Sequence, residues 1–223
     1  MPRSDNLATA QRNNPVCMPA SPRRAGRVSK GKVTPLIYVT EREQERKRQL
    51  INGMIKVAVL TLSDKGSRGK REDKSGPAIE RLIKKIKAKV ISYDILPDER
   101  PLIKKRLISL CKKADLILTT GGTGLSPRDV TPEATREVIQ WEIPGIANAM
   151  RSEGLKKTPY SMLSRAVAGV RGETLIINLP GSPKAVKENL SVILKCLPHA
   201  IEKIKGSEAD CAPAEGKKVR GRI

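Results

Sequence analysis

The segment Asp115–Glu133, DLILTTGGTGLSPRDVTPE, determines how the middle of this chain folds. Residues 115–119 form a short apolar run with the composition of a buried β-strand, and the run leads into the glycine loop Thr120–Gly124. Thr131-Pro132 then has the sequence of a helix N-terminus. This order predicts a strand whose carboxyl end carries a binding loop, as in α/β folds.

The glycine loop is suited to binding an anion. Gly121, Gly122 and Gly124 let the backbone approach a ligand and turn its N–H groups toward a negative charge. Asp129 is not needed to cap the next helix, and a carboxylate beside a bound anion can hold Mg²⁺ or exchange a proton. We therefore predict that a phosphorylated small molecule binds here. The loop matches neither GxxxxGK[ST] nor GxGxxG, so neither of those folds is indicated.

Strand and helix signals alternate along residues 54–206, which we predict to form one domain. The strands are apolar on both faces, which predicts a three-layer α/β/α fold with a mostly parallel sheet. The predicted strands are 55–62, 89–96, 115–119 and 173–178, and the predicted helices begin near 76, 101, 132, 145 and 183, the last three ending near 141, 154 and 205.

The flanking segments have a different composition. Residues 1–53 are basic and rich in Pro, Arg, Ser and Asn, so we expect a disordered N-terminal extension. Residues 207–223 are rich in Gly, Lys and Ala, and we expect a flexible tail.

The formal net charge is +21, and only eleven basic and four acidic side chains fall in residues 1–53. The domain itself is therefore strongly basic, and it could concentrate small polyanions such as ATP or bind nucleic acid. With no Phe, one Trp and three Tyr, the chain has little from which to build a base-stacking surface. We therefore favour an anionic small molecule and expect no nucleic-acid partner.

The sequence gives no sign of export or of membrane insertion. The mean hydropathy is −0.39, and no run approaches the roughly 18 apolar residues of a transmembrane helix. The first residues include no apolar segment of the kind found in secretory signals. We expect a cytoplasmic protein with no membrane partner.

The cysteines and the single histidine do not indicate a metal centre. None of the four cysteines has metal-ligand spacing, and Cys111 and Cys196 lie in apolar helical patterns, as expected for reduced core thiols. His199 stands alone, which excludes His-dependent catalytic triads and most zinc sites.

Four polar segments follow predicted strands, and in a parallel sheet they meet at one edge. Each also has a simpler explanation. Ser63-Asp64 could form a turn or cap, Asp98 could cap the helix after it, and Gly181-Ser182 could be a tight turn. The helix that follows Ser182 would nevertheless direct its N-terminal N–H groups at an anion. The four segments are Ser63-Asp64, Pro97-Asp98, Thr120–Asp129 and Pro180–Lys184.

Seven motifs in this order resemble the MoaB/Mog family of molybdenum cofactor synthesis. The resemblance covers about residues 54–206 and neither flanking segment. The motifs are 60–64 (LTLSD), 73–77 (DKSGP), 97–99 (PDE), 119–132 (TTGGTGLSPRDVTP), 144–145 (PG), 162–165 (MLSR) and 178–184 (NLPGSPK).

The resemblance implies an α/β domain, usually trimeric, that binds molybdopterin and ATP with Mg²⁺. The resemblance also implies an adenylyltransferase reaction, in which the molybdopterin phosphate attacks the α-phosphate of ATP and pyrophosphate leaves. The family's two catalytic aspartates correspond to Asp98 and Asp129, and its TGGTG and LPGSP loops to Thr120–Gly124 and Leu179–Pro183. One carboxylate would hold Mg²⁺ while the other positions the ion or the nucleophile, and the order of these roles stays open.

The remaining site residues are assigned on the same basis. Ser63 and Asp64 would line the nucleotide side, and the hydroxyl of Thr123 would donate to a ligand. Gly181, Ser182 and Lys184 would hold the pterin side, and Ser164, with Arg165, would complete it or lie only on a helix surface. Candidate ligand contacts outside the two aspartates are Ser63, Asp64, Thr120, Gly121, Gly122, Thr123, Gly124, Ser164, Gly181, Ser182 and Lys184.

Three other functions stay open at this stage. One is a MoaB-type paralogue that binds molybdopterin with little or no adenylyltransferase activity. A second is a pterin-binding module that hands its ligand to a partner. The third is a nucleic-acid-binding protein that uses residues 1–53. For the enzyme, we expect a homotrimer that passes its product to a molybdenum insertase.

Overall fold

The computed structural model describes residues 53–207, and the predicted disordered extension and flexible tail lie almost entirely outside these residues. The described part contains a six-stranded sheet with the order β2-β1-β3-β6-β5-β4. The strands are β1 Ile55–Leu62, β2 Ala88–Leu96, β3 Leu116–Thr120, β4 Trp141–Glu142, β5 Ala168–Arg171 and β6 Thr174–Leu179.

The parallel part of the sheet creates the edge at which the site lies. β1 pairs with β2 and β3, and β3 pairs with β6, all in parallel, whereas β5 and β4 are added antiparallel. Leu62 is in register with Leu96, and Thr120 with Leu179, so the parallel strands end at the same level. The loops after these strands therefore emerge side by side.

Helices cover both faces of the sheet, which confirms the predicted three-layer α/β/α fold. Because neighbouring strand residues point to opposite faces, Val57 and Val59 pack with α2, α5, α6 and α7, whereas Ala58 and Leu60 pack with α3 and α4. The helices are α1 Asp64–Ser67, α2 Ser75–Ile83, α3 Arg100–Leu110, α4 Thr131–Arg136, α5 Pro144–Leu155, α6 Pro183–Ile193 and α7 Leu197–Ile204, and 3-10 turns span Lys84–Ile86 and Pro159–Leu163.

The predicted helix over residues 132–141 is wrong in its second half. Helix α4 ends at Arg136, and Trp141 lies in β4. The N–H groups of Gln140 and Ile143 donate to carbonyl oxygens of β5 at 2.7 Å each. These long-range hydrogen bonds, to a strand that is not among the predicted strands, hold the segment extended.

The predicted single helix over residues 183–205 is two helices. Helix α6 ends at Ile193, and α7 begins at Leu197 with Pro198 in its first turn, where the missing N–H is not required. Cys196 lies at this break and is exposed, so the prediction of a core thiol is wrong for Cys196, whereas Cys111 is half-buried against the core. Within residues 53–207, no helix combines the length and the apolar character needed to cross a bilayer.

Candidate functional site

A cleft of about 680 Å³ opens at the carboxyl ends of the parallel strands. All four predicted polar segments contribute to it, together with residues 71–75, which precede and begin α2. Its lining residues are Thr61, Leu62, Ser63, Gly66, Arg71, Glu72, Asp73, Lys74, Ser75, Asp98, Thr120, Gly121, Gly122, Asp129, Gly181, Ser182 and Pro183.

The glycine loop is tightly packed at its start. Gly121 has φ +101°, and a Cβ there would overlap the carbonyl oxygen of Leu62. Gly122 has φ +62°, and a Cβ there would overlap Thr131 Oγ1 and lie 3.0 Å from Asp98 Oδ1. Both positions therefore require glycine, for backbone conformation and for space. Thr131 holds the loop from α4, because its Oγ1–H donates to the Gly121 carbonyl at 2.9 Å.

Part of the predicted anion cradle is used by the fold itself. The N–H of Gly121 donates to the carbonyl of Leu179 at 3.2 Å and is not available to a ligand. Across residues 53–207, no hydrogen bond takes up the N–H groups of Gly122, Thr123 and Gly124. The side chain of Thr123 is buried, and neither Thr123 nor Gly124 is among the residues that line the cleft. Of the three glycines in the loop, Gly122 is thus the one that lines the cleft and whose N–H has no partner among the described residues.

Asp64 and Asp98 are held together by two hydrogen bonds, each from the backbone N–H of one residue to the carboxylate of the other. The N–H of Asp64 donates to Asp98 Oδ2 at 3.0 Å, and the N–H of Asp98 donates to Asp64 Oδ1 at 3.2 Å. Arg128 pairs with both oxygens of Asp64, at 3.0 Å from Nε and 2.7 Å from Nη2. Asp64 therefore supports Asp98 from outside the lining of the cleft. The alternative that Asp98 caps α3 is wrong, because its carboxylate makes no hydrogen bond to that helix.

The carboxylates of Asp64 and Asp98 respond differently to this arrangement. The hydrogen bonds from Arg128 lower the pKa of Asp64, since they stabilise the ionised form. Burial raises the pKa of Asp98, and the nearby negative charges of Asp64 and Asp129 raise it further, against the hydrogen bond from the Asp64 N–H and the charge of Arg128.

Asp129 lies at the other side of the glycine loop. Its Oδ2 accepts from the N–H of Ser126 at 2.8 Å, and a Cβ at Gly124 would lie 3.0 Å from the same oxygen. In the part of the chain that the structure describes, Oδ1 of Asp129 and Oδ1 of Asp98 accept no hydrogen bond. Each aspartate thus keeps one carboxylate oxygen for a ligand.

These two aspartates fit a magnesium ion shared with a substrate. Mg²⁺ in phosphate-transfer sites is held by one or two carboxylates together with substrate oxygens and water. Among the described residues, no group of three or more His, Cys, Asp and Glu side chains could hold a metal. Asp98 and Asp129 would therefore hold Mg²⁺ only together with a phosphate ligand.

The glycine-proline loop at the end of β6 forms another wall. The hydroxyl of Thr120 donates to Pro180 O at 2.7 Å, and that of Ser75 donates to Gly181 O at 2.8 Å. Ser182 Oγ accepts from the N–H of Ala185 at 3.1 Å and so caps α6. Ser63 has the same kind of role, since its Oγ accepts from the N–H of Gly66 at 3.0 Å. The cap considered for Ser63 is thus present, and Ser182 forms a helix cap where the simpler alternative was a tight turn. Both serines also line the cleft.

Two predicted pterin contacts lie away from the lining. Lys184 is exposed on the first turn of α6. Ser164 is half-buried, its Oγ accepts from the N–H of Ala166 at 3.4 Å, and its carbonyl accepts from Arg151. Arg165, by contrast, contacts the glycine loop directly, with Nε donating to Gly124 O at 2.7 Å.

Sequence reasoning missed Asp73 as a residue of the cleft. Its carboxylate accepts from the hydroxyls of Thr61 and Tyr93, each at 2.5 Å, and from the N–H groups of Ser75 and Gly76 at the start of α2. The DKSGP motif is part of the resemblance, but nothing in it indicates that its aspartate faces the strand ends. Arg71 and Lys74, the two basic residues of the lining, were also missed.

Comparisons with known proteins agree with the fold and the motifs. The family model described as probable molybdopterin binding domain matches residues 58–199. A molybdopterin adenylyltransferase of Helicobacter pylori (strain J99) is 43% identical over 157 residues, which are 69% of this chain and 89% of that protein.

Solved structures give the same result. The molybdopterin biosynthesis enzyme MoaB of Thermus thermophilus is 52% identical with a TM-score of 0.66, covering 69% of this chain and 98% of that one. The tungsten cofactor synthesizing protein MoaB of Pyrococcus furiosus is 34% identical with a TM-score of 0.64, covering 69% and 98%. The chain therefore belongs to the family of molybdopterin-binding domains, the MoaB/Mog family that its motifs resemble.

Proposed function

We propose that this protein is a molybdopterin adenylyltransferase, a nucleotidyltransferase that moves AMP from ATP to the terminal phosphate of molybdopterin. A phosphate oxygen of molybdopterin bonds to the α-phosphorus of ATP, the bond from that phosphorus to the bridging oxygen breaks, and pyrophosphate leaves. Relatives that are 34% to 43% identical carry the name molybdopterin adenylyltransferase. Molybdopterin and ATP are the substrates, and the protein acts in molybdenum cofactor biosynthesis.

The observation that carries the proposal is that Asp98 and Asp129 both line the cleft beside the glycine loop. Each of the two aspartates keeps one carboxylate oxygen that accepts no hydrogen bond among the described residues. Gly122, whose N–H is unpaired among the same residues, also lines the cleft. Backbone N–H groups suit phosphate oxygens, and paired carboxylates suit a cation that accompanies them. A serine or cysteine nucleophile is not required, because the attacking oxygen belongs to the substrate.

The residues of the cleft can be assigned roles on this basis. Bound Mg²⁺ would neutralise negative charge on the phosphates of ATP. Asp98 and Asp129 would hold the ion, and the N–H of Gly122 would bind a phosphate oxygen. Arg71 and Lys74 line the cleft and add positive charge for polyanionic substrates. The loop Gly181-Ser182 would lie against the second substrate.

We further propose that the catalytic unit is residues 54–206 and that it works as a cytoplasmic homotrimer that passes its product to a molybdenum insertase. The resemblance implies the trimer, and exposed large apolar side chains between residues 125 and 163 offer contact surface for it. These are Leu125, Trp141, Leu155, Tyr160, Met162 and Leu163. Light scattering coupled to size-exclusion chromatography measures the mass directly.

Transfer of labelled AMP from ATP to molybdopterin in the presence of Mg²⁺ tests the main proposal. Asp129→Asn should lower turnover by about 100-fold or more, because a carboxylate that holds the Mg²⁺ beside the reacting phosphates is lost. ATP binding should persist. Glu173→Gln, an exposed carboxylate substitution away from the cleft, serves as the matched control and should keep wild-type turnover.

A second function is favoured by one observation: a relative that is 52% identical carries the name molybdopterin biosynthesis enzyme MoaB. A MoaB-type paralogue would bind molybdopterin with little or no transfer of AMP. Folded wild-type protein that binds molybdopterin and ATP but forms no adenylylated product would support that function and contradict the main proposal.

A further inference from the structure

We propose that Arg165 is a positioning residue of the transferase site, which fixes Asp129 and the glycine loop for the reaction without touching the substrates. The inference rests on the proposed function and deepens it. Arg165 is not among the residues that line the cleft, and its side chain is about one-third exposed. Any effect on the reaction must therefore pass through the groups that it holds.

Arg165 contacts both ends of the loop that follows β3. Nε donates to the carbonyl of Gly124 at 2.7 Å, and Nη2 donates to the carbonyl of Asp129. The backbone N–H of Arg165 also donates to the carbonyl of Thr123 at 3.0 Å. One residue thus joins the glycine loop to the peptide that carries the second aspartate.

The segment between these contacts has few other restraints. Residues 125–128 are all exposed, and the hydrogen bonds within the loop run between Ser126 and Asp129 or from the N–H of Arg128 to Ser126 Oγ. These local bonds give the loop a turn but do not attach it to the domain. Thr131 ties the start of α4 to Gly121 and Gly122, and Arg128 forms a surface ion pair with Asp64. The hydrogen bond that reaches Asp129 itself from outside the loop comes from Arg165.

Only arginine among the basic residues can make this arrangement. Its planar guanidinium presents five N–H donors in fixed directions, and here it binds three acceptors at once, two in the loop after β3 and one on α4. A lysine ammonium can approach one carbonyl or the carboxylate of Glu133, but it cannot span Gly124 O and Asp129 O with the same geometry. The two carbonyls should therefore move relative to each other in Arg165→Lys.

Glu133 orients the guanidinium from helix α4. Nη1 of Arg165 donates to Glu133 Oε1, whereas Glu133 Oε2 is buried without a hydrogen-bond partner among the described residues. A buried carboxylate oxygen without a partner is unfavourable, so this glutamate needs its ion pair with Arg165. Removal of Arg165 alone would have two effects that the assay cannot separate: the loop would lose its contacts, and the buried carboxylate of Glu133 would lose its partner.

The experiment therefore uses two variants, neither of which leaves the charge of Glu133 without a partner. Arg165→Lys keeps a positive charge for Glu133, and the double variant Arg165→Met with Glu133→Gln removes both charges together. Arg81→Lys, on an exposed position of α2 away from the cleft, is the matched control. Thermal unfolding of each variant establishes that it is folded at the assay temperature before turnover is measured.

In folded variants we expect kcat for AMP transfer to fall about 100-fold, the effect typical of a displacement near 1 Å in a reacting group. The KM for ATP should change by less than about threefold, because the free N–H groups and basic residues of the cleft remain. The Mg²⁺ concentration for half-maximal rate should rise, because Asp129 is no longer held in place. If Arg165 had only a structural role, its substitution would lower the unfolding temperature. The folded molecules would then still reach half their maximal rate at the wild-type Mg²⁺ concentration.

The proposal is overturned if either folded variant keeps both the kcat and the Mg²⁺ dependence of the wild type. Wild-type turnover in the same assay tests the proposed function separately. If the wild type forms no product, the transferase function fails, and positioning is then judged from Mg²⁺-dependent binding of a fluorescent ATP analogue. In that case equal Mg²⁺ dependence in wild type and Arg165→Lys contradicts the role of Arg165.

Discussion

At the residue scale, Asp98 and Asp129 differ in how the fold holds them. Asp98 is half-buried, receives one hydrogen bond from the Asp64 N–H, and lies near two other carboxylates. Asp129 accepts its hydrogen bond from within its own loop, at Ser126. Asp98 is thus attached to the ends of two strands, whereas the position of Asp129 depends on what anchors the loop. The two carboxylates are therefore held by different parts of the fold.

Asp98 should control the acid side of the pH–rate profile. Burial raises its pKa, as do the charges of Asp64 and Asp129, so the side chain takes up a proton at a higher pH than an ordinary aspartate does. Only the ionised form holds Mg²⁺, and kcat/KM should therefore fall as the pH drops through this raised pKa. Higher Mg²⁺ concentrations favour the ionised form and should move the fall to lower pH.

The measurement is kcat/KM for ATP against pH at several Mg²⁺ concentrations. Glu173→Gln should reproduce the wild-type profile, because that side chain is exposed and outside the cleft. An acid limb that stays at one pH at every Mg²⁺ concentration would contradict the role assigned to Asp98.

At the element scale, Asp73 joins β1, β2 and α2. Thr61 donates to it from the end of β1, Tyr93 from β2, and the N–H groups of Ser75 and Gly76 from the start of α2. The carboxylate thus caps α2 and ties it to the sheet beside the cleft. Its oxygens are already used by these donors, so we assign it a structural role in the wall of the cleft.

Asp73→Ala should lower the free energy of unfolding by about 1–3 kcal/mol, because a helix cap and two side-chain hydrogen bonds are lost. The same change should lower the pKa of Tyr93. That pKa is raised to about 12 by burial and by the hydrogen bond and charge of Asp73, and the substitution removes the contribution of Asp73. Denaturant unfolding measures the first effect, and spectroscopic titration of tyrosine measures the second.

Tyr93→Phe is the control for both measurements. It removes one hydrogen bond and should cost only about 1 kcal/mol, and it identifies which tyrosine titrates near the high value. A tyrosine titration that is identical in wild type and Asp73→Ala would show that the contact does not exist in solution.

At the scale of the whole molecule, every described residue of the cleft belongs to residues 54–206. The cleft is formed by the ends of β1, β2, β3 and β6, and its two basic lining residues are Arg71 and Lys74. The extension of residues 1–53 carries eleven basic side chains but none of the described lining residues. Because the described lining residues and the basic extension are separate in the sequence, a deletion can test the two functions independently.

Deletion of residues 1–53 should leave AMP transfer within about twofold of the full-length rate, because no group of the described cleft is removed. Binding of a labelled DNA duplex by both proteins at several salt concentrations measures the alternative function. If the deletion abolishes specific nucleic-acid binding and full-length protein transfers no AMP, the functional segment is the extension and not the cleft.

Local sequence patterns predict an element correctly when its surroundings are the same along its whole length. Strand β1 is predicted at residues 55–62 and is found there, because it is apolar on both faces and lies between two parallel neighbours. Strands β4 and β5 escape prediction. β4 has two residues, both exposed, and it is extended only because it pairs with β5. Such a strand leaves no apolar pattern for sequence reasoning to detect.

Residue types at short spacing are enough to establish the alternation of strands and helices, the glycine loop and the family, because each of these depends on near neighbours in the chain. Which side chains reach the cleft depends instead on the folded molecule. The fold places Asp73 and Arg71 in the lining, leaves Lys184 and Ser164 outside it, and brings Arg165 to the loop of Asp129. These positions arise from contacts between segments far apart in the chain, and a side chain's direction there follows from packing rather than from its neighbours in sequence.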